Sequence, residues 1–87
     1  MAVKVLGTEA AMGTSSGNGS NFGNASVVRV INTTANAHLV TVETSANVAL
    51  GTFTLAGGAS EKVLKGTTDE IFAANAGVKG VAVGFST

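Results

Sequence analysis

The chain has 87 residues, one histidine, no cysteine, proline, tyrosine or tryptophan, and five basic side chains against five acidic ones. That length makes one domain of modest stability as a monomer. The missing cysteines exclude disulfides and thiolate metal sites, and the balanced charge leaves no electrostatic footprint for nucleic acid or an acidic membrane. Leu, Ile, Val and Phe number 23, enough for a core, and 37 residues are Ser, Thr, Asn or Gly. Of the devices that stabilise small domains, association with another subunit is the one this composition leaves open.

In chain order, AVKVL at 2–6 alternates weakly and predicts a short strand. Broken by Lys4 and ended by Gly7, it is too short and polar for a signal peptide or a membrane span. GTEAAM at 7–12 is compatible with a helical turn. GTSSGNGSNFGN at 13–24 reads as a flexible segment whose only apolar side chain is Phe22. Composition therefore divides the chain into an arm, 1–24, and a β domain, 25–87. ASVVRVIN at 25–32 predicts a central strand with Val28 and Val30 on one face. TTAN reads as a turn, and AHLVTVE at 37–43 as the second half of a hairpin, with Val40 and Val42 facing inward. VALGTFTL at 48–55 predicts a strand with Gly51, Phe53 and Leu55 inward. After the Gly57-Gly58 turn, SEKVLK at 60–65 carries the charge expected of an edge strand.

DEIFAANAG leaves two readings, a helical turn capped by Thr68 or a short strand centred on Ile71 and Phe72. VKGVAVGF at 78–85 predicts a last strand, with Val81, Val83 and Phe85 on the core face. Ala82 and Gly84 on the opposite face would let another backbone approach. Six to seven short strands about ten residues apart, with no long helix, predict an all-β fold, a small antiparallel β-sandwich or barrel.

Chemistry-bearing residues do not cluster. His38 has no partner nearby in sequence, no two carboxylates are placed to converge, and no serine sits in a nucleophile-elbow pattern. The glycines around Phe22 approach a dinucleotide fingerprint, but no helix follows them. Neither a catalytic residue nor a cofactor or metal site is expected. The arm has two readings. AVKVL could be the first strand of its own sandwich. Alternatively it could add Val3 and Val5 to the sheet edge of a neighbour, with Phe22 as a buried anchor. Val3, Val5, Phe22, Ala82 and Gly84 are thus the candidate partner-binding residues.

Residues 25–87 carry a further signal in the succession VVRVIN, HLVTVE, GTFTLAGG and TTDEIFAANAGV before a final apolar strand. The succession resembles small virion structural proteins of tailed bacteriophages, of the kind found in marine and cyanobacterial phages. The resemblance implies a non-enzymatic capsid cement or decoration protein, made in the host cytoplasm and carried on the virion. It would bridge subunits of the major capsid protein. Self-association is expected from the small core and low surface charge, and a homotrimer from analogy with decoration proteins at threefold positions. The alternative the resemblance leaves open is a tail- or fibre-associated module that binds a receptor or carbohydrate.

Overall fold

The computed structural model describes residues 2–86 as eight strands with no helix. They are β1 (Ala2–Val5), β2 (Ala10–Ala11), β3 (Val27–Asn32), β4 (His38–Glu43), β5 (Ala49–Leu55), β6 (Ser60–Leu64), β7 (Glu70–Ala73) and β8 (Val78–Ser86). All pairings are antiparallel and form two sheets. The first has the order β1-β8-β3-β6, with β2 also on β8; the second is β5-β4-β7. The fold is the all-β sandwich that the alternation predicts.

The core lies between the sheets. Val28 and Val30 from β3, Val78 from β8, Val40 from β4, Leu55 from β5 and Ile71 and Ala73 from β7 are all buried. The expected core residues Val42 and Phe53 pack against this cluster half-buried. DEIFAANAG takes the strand reading. Thr67 and Thr68 lie in a turn held by the Gly66 N–H on Asp69 Oδ2 at 3.0 Å, and β7 follows as an extended segment. GTEAAM likewise forms no helical turn, because Ala10 and Ala11 pair with Gly80 and Lys79.

Two expectations are corrected. β3 and β4 do not form a hairpin, since they belong to different sheets and residues 33–37 carry the chain across the sandwich. Asn32 makes that corner. Its buried amide donates to Leu55 O at 2.9 Å and to Asn36 O at 2.7 Å, and its Oδ1 accepts from the Thr34 N–H and hydroxyl. A side chain that ties the crossing loop to β5 of the other sheet directs the chain across, where a tight turn would have returned it alongside itself.

The second correction concerns β8. Val28 and Val30 stand opposite Ala82 and Gly80, and residues directly opposite in an antiparallel pair share a face. The core face of β8 therefore carries Val78, Gly80, Ala82 and Gly84. Val81, Val83 and Phe85 point outward, and Phe85 remains 47% exposed. The bulk that the small residues lack comes from the arm. Met12 is buried in the core, and a Cβ at Gly80 would lie 2.7 Å from Phe22 Cζ.

The arm settles on its own sandwich. Ala2–Val5 pair with Ser86–Val83, and Ala10 reaches Gly80. Five arm positions thus run against three of β8, and the surplus bulges out around Thr8 and Glu9. The arm then crosses to the second sheet. There the Ala73 N–H donates to Gly13 O, and Ser20 and Ile71 exchange backbone hydrogen bonds at 3.0 and 2.9 Å.

Candidate interaction surfaces

The five residues singled out from the sequence fall into two groups on opposite faces of the first sheet. Val3 and Val5 stand opposite Phe85 and Val83, on the outward face. Val83 and Val81 are nearly covered there by their neighbours, whereas Val3, Val5 and Phe85 remain exposed. Part of the cover over Val81 is an ion pair. Arg29 lies opposite Val81 on β3, Glu9 enters from the other side of β8, and the two charges meet at 3.5 Å. The result is an apolar strip along the β1 side of the outward face, bordered by a β1 edge that is unpaired among the described residues.

Phe22, Ala82 and Gly84 come together on the inward side. They line a groove of about 410 Å³ with Leu6, Asn24 and Ala25. Phe22 is held there by its backbone, which has a φ of 55°. The Phe22 N–H bonds Ser20 Oγ, and the Asn21 side chain accepts from the Gly23 and Asn24 N–H groups. This turn places the ring over Gly80. Leu6 Cδ1 lies 3.5 Å from where a Cβ on Gly84 would stand. The column of small residues therefore seats the molecule's own arm.

A third surface went unread in the sequence. Between β5 and β6, the free edges of the two sheets, lies a groove of about 610 Å³ lined by Val42, Leu50, Gly51, Leu64, Lys65 and Asp69. Its rim is apolar, with Leu50 58% and Leu64 79% exposed. A register shift places one extra residue, Leu50, on β5 where Val42 pairs with Gly51 and Glu43 with Ala49. Lys65 closes one end. Its side chain is buried, and Nζ donates to Ala25 O at 2.6 Å and Gly66 O at 3.2 Å. Burial lowers its pKa from the usual 10.5, against the opposing pull of Asp69. With two donors committed to carbonyls, Lys65 ties the end of β6 to the start of β3. The uncharged run ALGTFTL was the available signal for this surface. The groove itself depends on which strands become neighbours, and that is not local information.

Glu43 shows the same limit. It is buried opposite Glu70, an unfavourable cross-strand pair of like charges. The arm offsets this with the Ser16 hydroxyl on Oε2 at 2.8 Å and the Gly17 N–H on Oε1 at 3.1 Å. His38 is half-buried opposite Leu55, and among the described residues no three His, Asp or Glu side chains converge as metal ligands would.

No protein-family model matches the chain, and no curated protein or solved structure matches it either.

Proposed function

We propose that this chain is a non-enzymatic structural protein of a viral particle, a capsid cement protein that holds to the shell through the β1 edge. The observation that carries this reading is the exposed strip of Val3, Val5 and Phe85 beside an unpaired strand edge. A strand of the major capsid protein added along Ala2–Val5 would gain backbone hydrogen bonds, while the outward valines set its register. One four-residue edge gives a weak contact, and repetition across a shell multiplies it. The resemblance of residues 25–87 to phage virion proteins supports the same reading.

The test is a double variant, Val3→Lys with Val5→Lys, in a shell-binding assay. Both side chains are exposed, so the protein is expected to fold and to lose attachment. Binding at the unsubstituted level overturns the reading. Imaging that finds a few copies at the tail, in place of copies over the shell, favours the receptor-binding alternative.

A further inference from the structure

The open flank of the sandwich offers a second contact, independent of the β1 edge. Four strand edges are unpaired among the described residues: β1, the two-residue β2, β6 and β5. Edge strands are normally guarded against pairing by charge, proline or shortness. β1 offers only four residues and carries Lys4, which limits it to the weak contact described above, and β6 carries Glu61 and Lys62. β5 has seven residues and no charge. Its bulge at Leu50 leaves Gly51–Leu55 in regular register with β4.

We infer that β5 pairs with the β5 of a second copy of this chain, about a two-fold axis through Thr52, to join two three-stranded sheets into one of six. Such an axis stands perpendicular to the sheet and leaves each face unchanged, so paired positions must both be even or both be odd. Charge discriminates among the edges. Paired with itself about its middle residue, β6 would set Lys62 against Lys62, whereas β5 sets no charge against any other.

Shape selects the register. With Thr52 on the axis, Gly51 of each copy faces Phe53 of the other. A Cβ at Gly51 would meet nothing within 4 Å, and Gly51 forms part of the floor of the β5–β6 groove. Phe53 stands on the same inward face and is only half-buried. The partner's ring would then lie across the empty Gly51 position, flanked by Val42 and Leu50. The pairing of an aromatic residue with a strand glycine is a known stabilising device.

The chain has no cysteine, so a single introduced thiol reports the register directly. Thr52→Cys places two thiols face to face at the axis, within disulfide reach. Thr54→Cys places its two thiols about 13 Å apart along the strands, beyond that reach. Light scattering on the unsubstituted protein is expected to give a dimer, and oxidation to cross-link Thr52→Cys at least about tenfold faster than Thr54→Cys. Thr52→Lys, at an exposed position, is expected to keep its far-ultraviolet circular dichroism and to weaken the dimer about tenfold or more. A monomer at every concentration, a trimer, equal cross-linking at the two positions, or a dimer indifferent to Thr52→Lys would each overturn the inference. Attachment to capsids plays no part in these measurements, so this contact and the β1 contact stand or fall separately.

Discussion

The two flanks of this sandwich are built on opposite plans. At the β7–β8 flank the arm crosses from one sheet to the other. It bonds β7 through Gly13 and Ser20 and fills the space over Gly80 with Met12 and Phe22. At the β5–β6 flank only the turn at 56–59 passes from one sheet to the other, at one end, and Leu50 and Leu64 stand in solvent beside two free edges. Polar, glycine-rich sequence closes one flank, and the other stays open although its β5 is a largely apolar run without charge. Hydropathy alone would assign them the other way round. What closes a flank is the count of backbone bonds and the fit of a few large side chains, not the mean character of the segment that supplies them.

The largest test of this contrast sets Ile71 against Leu64. Ile71 is fully buried under the arm, so Ile71→Ala should cost about 2–5 kcal/mol in urea unfolding. Leu64→Ala, on the open rim, should change stability by less than about 0.5 kcal/mol. Equal losses would mean that the open flank is closed in solution.

The next test makes one substitution at both flanks. Gly80→Ala pushes a methyl group against Phe22 and Met12 and should cost about 1–3 kcal/mol, read from the same unfolding curves. Gly51→Ala meets open space. At protein concentrations low enough to keep the chain monomeric, it should raise stability by about 0.5 kcal/mol through the unfolded state.

The smallest effect is a slope with pH. Lys65 has a lower pKa in the folded protein than its usual 10.5. Between those two values the unfolded chain binds the additional proton, so this group makes stability rise as pH climbs through that interval. Below the folded-state value its contribution is constant and unfavourable. Urea midpoints measured from neutral pH to 10.5 should therefore rise less in Lys65→Met than in the unsubstituted protein. An identical rise in both would remove Lys65 from the account.

Most of the strands were legible because β-branched residues alternate at period two between turn residues, as in VVRVIN and HLVTVE. What was not legible depended on remote partners. Val81, Val83 and Phe85 have the bulk of a core row, and the smaller Gly80, Ala82 and Gly84 face the core only because Met12, Phe22 and Leu6 arrive from the arm to complete it. TTAN has the composition of a hairpin turn, and Asn32 converts it to a corner through Leu55, far along the chain. Of the candidate surfaces, Val3 and Val5 could be read from alternation on a single strand. The β5–β6 groove could not, because it exists only where the edges of two sheets meet.

The pairing of Ala2 with Ser86 joins residues at nearly the largest sequence separation the chain allows. β4 and β5 are joined by a short connection and need little loop closure, whereas β1 must wait for β8. Topologies dominated by such distant pairings fold on a timescale of roughly milliseconds to seconds. The second sheet, with its uncharged β5 edge, can therefore be complete while the first is still missing its outermost strand. The kinetic hazard of this molecule lies in that interval, when the β8 edge is bare and crowded chains can exchange arms instead of each folding back its own.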